Sequence, residues 1–278
     1  MNTLTLSHWR RPSRFALAAM LALAPARAAR AQDTLSRVLV RRSEAVPFFA
    51  LGVVAVAIMP ADQRITTWIR GFGPTTTLTH ASDVFNFVGD PGTVVASAGI
   101  WAVGAVGHNR RIADAGLHIG ESVVTSGIVT GVIKVLAGRA RPYVSSDTNA
   151  RDFQFMRGRK GGDYQSFPSG HSTAAFAFAA ALSAEAGSQR RWVAPVSYSA
   201  ATLVALARMY TDKHWASDVI FGAGIGITSA KATVRFNHAR PGNWVDKMFL
   251  PSADNAAFHL SVWPSADGRT NVGLSRVW

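Results

Sequence analysis

The chain has 278 residues, of which 48% are hydrophobic and 16% charged, and its formal net charge is +13. It contains no cysteine, which excludes disulfide bonds and thiolate metal ligands. The basic residues are scattered over short loops and an N-terminal leader, without a basic helix or a basic patch with interleaved aromatic residues. The charge therefore does not indicate a nucleic-acid partner.

The leader has the pattern of a secretory signal. Its first basic residues are Arg10, Arg11 and Arg14. They precede an apolar run over residues 15–26, and Ala29 and Ala31 offer an A-x-A cleavage site before Gln32. We therefore expect a signal peptide, or alternatively an uncleaved N-terminal anchor, that directs the chain to a bacterial cell envelope.

Further segments are apolar enough to form buried or membrane-embedded helices. In chain order they cover residues 46–59, 84–107, 117–137, 172–187, 192–209 and 217–234. Their lengths lie close to the roughly 20 residues that a membrane-spanning helix needs. In the third segment, Gly116, Gly120, Gly127 and Gly131 share one helix face with Lys134, and small residues on a face permit close helix packing. The sequence thus predicts an all-α bundle.

Two segments fall outside this helical pattern. The loop from Tyr143 to Phe167 is long and polar, which is typical of a lid or substrate selector, with a disordered insertion as the alternative. After residue 235, apolar residues alternate on both sides of the turn dipeptide Asp267-Gly268. They are Phe258, Leu260 and Val262 before the turn and Val272 and Leu274 after it. This pattern predicts a terminal β-hairpin.

The patterns divide the chain into four parts. Residues 1–31 are the leader, 32–83 an N-terminal helix with a connecting loop, 84–235 the core and 236–278 a C-terminal extension. The core carries three short polar blocks in a fixed order. These are Lys134-(six residues)-Arg141-Pro142, then Pro168-Ser169-Gly170-His171, and then Arg208-(five residues)-His214-(three residues)-Asp218.

The first two blocks have the residue types of an anion site. Lys134 and Arg141 are about two helical turns apart, so both can reach one anion if the helix continues as far as Pro142, which would end it. Ser169 and Gly170 precede a long Ala/Phe run, so we expect them where a loop opens a helix and unpaired backbone N–H groups face outward. Gly170 would let the backbone approach a phosphate closely.

The third block has the residue types of a histidine nucleophile. His214 and Asp218 are four residues apart, which places them on one helix face, where the carboxylate can hold one imidazole nitrogen and leave the other free to attack. The other histidines show no metal-ligand spacing, and no paired-carboxylate motif is present, so a bound metal is not indicated. These histidines are His80, His108, His118, His238 and His259.

The ordered set of blocks resembles the signature of the type 2 phosphatidic acid phosphatase (PAP2) superfamily, which includes lipid phosphatases, bacterial acid phosphatases and vanadium haloperoxidases. The resemblance covers residues 84–230 and implies a PAP2-type six-helix bundle with a long catalytic loop. It implies that His214 forms a phosphohistidine, that Asp218 orients His214 and that His171 is the general acid. The implied phosphate-binding residues are Lys134, Arg141, Ser169, Gly170 and Arg208. Ala207 stands where the family usually has serine, and we expect altered affinity from that change.

The resemblance implies a phosphatase without metal or other cofactor, acting on a lipid phosphate or pyrophosphate such as phosphatidate, phosphatidylglycerol phosphate or undecaprenyl pyrophosphate. A soluble periplasmic acid phosphatase, a vanadium-dependent haloperoxidase and a non-enzymatic envelope protein are the alternatives. We expect the bundle in the inner membrane with its site facing the periplasm, because arginine pairs lie in the loops of the opposite face. Secretion to the periplasm is the alternative. The sequence does not define the oligomeric state.

Overall fold

The computed structural model of the chain describes residues 40–145, 149–250, 258–264 and 270–276, the last two ranges as backbone. The predicted leader, residues 1–31, lies outside these ranges. The helices are α1 (Arg42–Ile58), α2 (Asp62–Arg70), α3 (Thr76–Phe87), α4 (Thr93–Val106), α5 (Arg110–Ala137), α6 (Gly170–Glu185), α7 (Arg190–Tyr210), α8 (Ala216–Ala239) and α9 (Trp244–Phe249). The strands are β1 (Phe258–Pro264) and β2 (Thr270–Arg276). The prediction of a mostly helical bundle is confirmed, but α2, α3 and α9 go beyond the predicted segments.

The C-terminal end of α5 is set by a glycine. Gly138 adopts a left-handed conformation with φ of 54°, and its N–H donates to the carbonyl oxygen of Lys134 at 3.2 Å. This is a common way for a helix to end, because glycine has no Cβ to oppose a positive φ. The expected continuation of the helix to Pro142 is therefore wrong. Arg141 lies in the loop after α5, and a different geometry must bring it near Lys134.

The predicted single segment over residues 84–107 is broken. Between α3 and α4, Asp90 has an extended conformation with φ of −168° and ψ of 115°. The next residue, Pro91, has no N–H to donate to a helix. A Cβ on Gly89 would lie 3.3 Å from the Cβ of His171, so this junction packs directly on the start of α6. The break thus places the backbone of Gly89, and not the side chains of a helix face, next to the predicted site residue His171.

Helices α6 and α8 form the centre of the bundle and pack closely on each other. A Cβ on Gly222 would lie 2.6 Å from the carbonyl oxygen of Ser169, and one on Gly226 would overlap the backbone of Thr173 and Ala177. Glycine at these two positions is what allows the close approach. Helices α1, α5 and α7 surround this pair, α4 packs on α5, and α3 packs on α7.

The glycine face of α5 is used only in part. A Cβ on Gly116 would overlap the backbone of Trp101 in α4, and Gly120 is in ordinary contact range of the same helix. Within the described residues, a Cβ on Gly127 or Gly131 would meet no heavy atom within 4 Å. The close packing expected at those two positions is not found, because α4 has 14 residues and cannot follow the 28 residues of α5 to its end.

The outer surface of the bundle is strongly apolar. Large apolar side chains that are more than half exposed include Val46, Phe49, Val53 and Val56 on α1, Val95, Val103 and Val106 on α4, Val124, Ile128 and Val132 on α5, and Trp192, Val196 and Leu206 on α7. The continuous segment Arg42–Arg70 and helix α5 are each long and apolar enough to cross a membrane. Such a large exposed apolar surface is uncommon in soluble monomers and indicates contact with another apolar phase.

The C-terminal extension contains two paired strands. β1 and β2 are antiparallel, with Leu260 opposite Leu274 and Val262 opposite Val272. The turn dipeptide Asp267-Gly268 lies outside the described residues.

Candidate active site

The three polar blocks meet at one end of the bundle, which we call the site end. Helices α5 and α7 finish there, with Lys134 and Arg208 in their last turns. Helices α6 and α8 begin there, with His171 and Asp218 in their first turns. His214 lies in the connection just before α8. Alternation of chain direction therefore brings residues that are far apart in sequence to the same end.

Cationic side chains with free donors line the site end. The Lys134 ammonium donates to the carbonyl oxygen of Gln165 at 2.5 Å, and Arg208 Nη1 donates to Asn86 Oδ1 at 2.9 Å. The Nε atoms of Arg208 and Arg141 are buried and have no hydrogen-bond partner among the residues that the structure describes. A buried, unpartnered guanidinium nitrogen is costly, and a bound anion would satisfy it. Asn86 was not among the predicted site residues.

The start of α6 adds backbone donors beside these cations. Ser169 caps the helix, since its hydroxyl accepts from the Ser172 N–H at 3.3 Å. A Cβ on Gly170 would lie 3.5 Å from Cε of Lys134, so the lysine stem runs alongside the first turn. A helix N-terminus presents N–H groups and a partial positive charge, both of which favour a phosphate. Ser169 and Gly170 therefore occupy the position expected from the sequence.

His171 lies within the same cationic group. The charges of Lys134, Arg141 and Arg208 all act on its imidazole, so the four side chains form one cluster. The loop residue Arg141 joins this cluster although it does not share a helix with Lys134. Its own N–H donates to the carbonyl oxygen of Asp163 at 3.0 Å, which fixes the loop at this point.

His214 is 2% exposed, and its hydrogen bonding defines its tautomer. Nδ1 lies 2.7 Å from the carbonyl oxygen of Ser166 and 3.6 Å from Oδ2 of Asp218. A carbonyl oxygen only accepts, so Nδ1 carries the hydrogen and Nε2 keeps its lone pair. The expectation that both residues lie on one helix face is wrong, because α8 begins at Ala216, after His214. The two side chains nevertheless meet.

The His214 imidazole is held in its neutral form. Burial lowers its pKa from 6.5 to about 3, the positive charges of Lys134 and Arg208 act in the same direction, and Asp218 opposes them. Burial penalises the charged imidazolium, and nearby cations add to that penalty. A neutral imidazole with a free Nε2 is the form that can attack an electrophile.

Asp218 belongs to a buried network that the sequence analysis missed. Its carboxylate accepts from Arg139 Nη1 at 2.5 Å, from the Ser166 hydroxyl at 2.5 Å and from the Trp215 N–H at 2.9 Å. Arg139 Nη2 also pairs with Asp62 at 2.7 Å, and both side chains are completely buried. Arg139 lies inside the first block, two residues before Arg141. That position was the one sequence feature that could have indicated its place in the site. Asp62 could not be found from local sequence.

The long loop is packed at the site end over its described residues. Arg157 donates to the carbonyl oxygen of Gly138 at 2.8 Å and pairs with Asp152 at 2.9 Å, while its guanidinium lies over the Tyr164 ring. Gln165 Nε2 donates to the carbonyl oxygen of Gly158 at 2.8 Å. These contacts argue against a disordered insertion over the described residues, and the lid or selector role stays a prediction.

The arrangement defines a class of protein. It is a helical bundle with a buried, neutral histidine beside several cations and a helix N-terminus, and such a site suits histidine-based phosphate chemistry.

Residues 115–241 match the PAP2 superfamily. A transmembrane PAP2 type phosphatidylglycerolphosphate phosphatase from Bacillus subtilis shares the fold with a TM-score of 0.55 and 20% identity, over 72% of this chain and 98% of that one. The resemblance to the PAP2 superfamily inferred from the three blocks is confirmed over residues 115–241.

Curated relatives point to the same family. The chain is 40% identical over 80 residues to a lipid A 1-phosphatase of Porphyromonas gingivalis, covering 28% of this chain and 18% of that protein. It is 29% identical to a lipid A 1-phosphatase of Rhizobium johnstonii over 57% of this chain and 61% of that one, and 33% identical to one of Rhizobium etli over 40% and 45%. The chain thus spans less than two thirds of each of these relatives.

Proposed function

We propose that the protein is a phosphatase that hydrolyses a phosphate monoester of a lipid through a phosphohistidine at His214. The observation that best supports this proposal is the hydrogen bond from His214 Nδ1 to the Ser166 carbonyl oxygen, because it leaves Nε2 free to act as a nucleophile. Lys134, Arg141 and Arg208 lie at the same site end as His214. The Nε atoms of the two arginines have no hydrogen-bond partner among the described residues. A nucleophile next to anion-binding donors is the minimum that phosphoryl transfer requires.

The proposed reaction has two steps. First, Nε2 of His214 attacks the phosphorus atom, an N–P bond forms, and the bond from phosphorus to the lipid oxygen breaks. His171, protonated in the proposed complex because the bound phosphate anion offsets the cations around it, gives its proton to the departing oxygen. Second, a water molecule attacks the phosphohistidine, His171 takes the proton of that water, and the N–P bond breaks to release inorganic phosphate. Both histidines end in the states in which they began.

The cationic side chains would stabilise the negative charge of the transition state. Negative charge spreads over the three equatorial phosphate oxygens in the transition state, and fixed donors in a water-poor site stabilise it. Lys134, Arg141 and Arg208 supply positive charge, and Ser169 and Gly170 supply the N-terminus of α6. Asp218 stabilises the positive charge that forms on His214 during attack, as an orienting carboxylate does in related histidine sites.

A phosphorylated membrane lipid is the substrate class that fits best. Three curated relatives carry the name lipid A 1-phosphatase, so lipid A 1-phosphate is the first candidate. The exposed valines and isoleucines of α1, α4, α5 and α7 would lie in the bilayer. A substrate anchored in the same bilayer would present its phosphate at the level of the site end.

The proposed location is the inner membrane of a bacterium, with the site end in the periplasm. Arg110 and Arg111 start α5, and Arg190 and Arg191 start α7, all at the end opposite the site. There Arg235 pairs with Glu44 at the start of α1. Arginine pairs in the short connections of a helix bundle favour the cytoplasm for that end, although the long loop at the site end also carries Arg151, Arg157 and Arg159. Extraction tests the location: an embedded protein needs detergent, whereas release by osmotic shock would contradict it.

A substrate panel tests the activity. The detergent-purified chain is incubated with lipid A, phosphatidylglycerol phosphate, undecaprenyl pyrophosphate and an aryl phosphate, and inorganic phosphate is measured. We expect release from at least one lipid, faster than from the aryl ester. Absence of release from every substrate would contradict a phosphatase. Release from the aryl ester alone would favour the soluble acid-phosphatase alternative over a lipid substrate.

A further inference from the structure

Three side chains from three helices converge at the end of the bundle opposite the site. Glu185, at the end of α6, places Oε1 2.8 Å from Nδ1 of His118 in α5 and 3.0 Å from Nε2 of His238 in α8. All three donor atoms lie within 4.8 Å of one another. We propose that His118, Glu185 and His238 bind a divalent transition-metal ion, with Zn²⁺ as the first candidate.

The separations are close to those of a metal site. Ligand atoms about 2.0–2.1 Å from a tetrahedral Zn²⁺ stand roughly 3.3 Å from each other. The two nitrogen-to-oxygen distances of 2.8 and 3.0 Å therefore need to lengthen by only about half an ångström to admit an ion. Two imidazoles and one carboxylate form a ligand set that suits Zn²⁺ and leaves a further position for water.

A fourth group supplies independent evidence for a ligand. Asp246 is 4% exposed, and its Oδ1 is buried without a hydrogen-bond partner in the described part of the chain. Its other oxygen accepts from the Gly242 N–H at 2.7 Å, which fixes the carboxylate. Asp246, His118 and His238 line the same cavity of about 370 Å³. A buried carboxylate oxygen without a donor is costly. Because Asp246 is not one of the three residues whose ligand atoms lie within 4.8 Å of one another, a water bound to the ion would satisfy it.

The charge of the cavity favours a cation. Arg110 is a basic residue of the lining, and its Nε lies 3.9 Å from the carboxylate of Asp114, which lines the same cavity. Glu185 and Asp246 then provide two further carboxylates beside the two histidines. His238 has 54% of its side chain exposed, whereas Glu185 and His118 have 12% and 7% exposed. An ion can therefore enter past His238 and meet two pre-positioned buried ligands.

The ion would tie together the ends of α5, α6 and α8, far from the phosphate chemistry. It would act on stability and leave turnover unchanged, because none of its ligands belongs to the catalytic cluster. Local sequence patterns do not reveal this group, since its members are 67 and 53 residues apart in the chain. The sequence-based view that His118 and His238 lack metal-ligand spacing holds along the chain but not in space.

Metal analysis of the full chain tests the proposal. The detergent-purified protein is stripped with EDTA, dialysed against limiting Zn²⁺ and analysed by atomic emission and by thermal unfolding. The variants are His238→Ala and Glu185→Gln, and the matched control is His80→Ala, an exposed histidine on α3. We expect one Zn²⁺ per chain and a higher Tm with Zn²⁺ for the wild type and for His80→Ala.

His238→Ala should lose at least about tenfold in Zn²⁺ affinity and the Zn²⁺-dependent gain in Tm. Its phosphatase activity should equal that of the wild type. Because His238 is more than half exposed, this variant folds even if Glu185→Gln does not. Substitution by Co²⁺ should give the visible absorption of a tetrahedral ion. Failure of the wild type to retain Zn²⁺, or equal binding by wild type and His238→Ala, would overturn the proposal.

Discussion

Ser166 contacts both members of the His214–Asp218 pair. Its carbonyl oxygen accepts from His214 Nδ1 at 2.7 Å, and its hydroxyl donates to Asp218 Oδ2 at 2.5 Å. The main chain of this one residue thus fixes the imidazole, and its side chain fixes the carboxylate. The geometry assigns two functions to Ser166 that a substitution can separate, because alanine removes the hydroxyl and keeps the carbonyl.

Ser166→Ala should lower kcat by about 10–100-fold with little change in KM, because a hydrogen bond to a charged group contributes about 1.5–3 kcal/mol. Ser183→Ala is the matched control, since Ser183 is also buried, but its hydroxyl contacts Ala179 in α6 and Ser197 in α7, away from the site. Steady-state kinetics on the best lipid substrate measure the effect. An unchanged kcat in Ser166→Ala would mean that the hydrogen bond from this hydroxyl to Asp218 does not contribute to catalysis.

His171→Ala should affect substrates according to their leaving group. Loss of a general acid costs about 10²–10⁴-fold when the departing alkoxide is a strong base, and much less when it is a stable aryl oxide. The ratio of kcat/KM for an alkyl and an aryl phosphate should therefore fall in the variant. Equal losses on both substrates would argue against a proton-transfer role for His171.

Acid should destabilise the protein partly through His214. Its pKa is about 3 in the folded chain and near 6.5 when unfolded, so the unfolded state binds more protons between those values. The stabilisation is complete above pH 6.5 and is lost as the pH falls toward 3, by about 1.4 kcal/mol per pH unit well inside the window.

The variant His214→Asn separates the effect of His214 protonation on stability from that of other groups. From pH 7 to pH 5, the Tm of the wild type should fall more than that of His214→Asn, because asparagine does not titrate. His80→Asn removes an exposed histidine and serves as the control. Parallel curves for wild type and His214→Asn would show that His214 is not held neutral by the fold.

Arg139 should be essential for stability. It joins Asp62 and Asp218, and all three side chains are completely buried. Arg139→Met leaves two buried carboxylates without compensation, which costs about 3–5 kcal/mol. Arg159→Met, at an exposed arginine in the same loop region, should be neutral. Thermal unfolding compares the two, and a small effect for Arg139→Met would mean that water reaches the network.

The sequence was sufficient to predict which residues meet at the site end, and insufficient for the residues that hold them there. Lys134, Ser169 and Arg208 lie in short ordered blocks, and the resemblance of these blocks to the PAP2 signature implies their grouping. Asp62 and Asn86 were missed because they contact Arg139 and Arg208 across 77 and 122 residues of chain. Contacts of that kind depend on how the helices pack, which one sequence does not reveal.

Helix boundaries were the weakest part of the prediction for a similar reason. Apolar composition indicated one helix over residues 84–107, although Asp90-Pro91 breaks it. Composition also did not show that Gly138 would end α5 before Arg141. In both places a single backbone preference outweighs the hydrophobic pattern.

Catalysis should be independent of metal ions and sensitive to a phosphate mimic. Lys134, Arg141 and Arg208 supply the positive charge, so activity should survive EDTA, while vanadate should inhibit by adopting the geometry of the transition state. The assay is run well below the Tm, because removal of an ion at His118 and His238 would lower stability. Restoration of a chelated, inactive enzyme by Mg²⁺ or Zn²⁺ would contradict a metal-free mechanism.

Trapping the phosphoenzyme tests the central claim most directly. Substrate labelled in its phosphate is mixed with the purified chain, the reaction is quenched within one turnover, and the labelled peptide is mapped by mass spectrometry. We predict up to one phosphoryl group per chain, attached to His214 and labile in acid, and no label in His214→Ala, which should also lose turnover. Label on another residue, or turnover retained by His214→Ala, would contradict the assignment of His214 as the nucleophile.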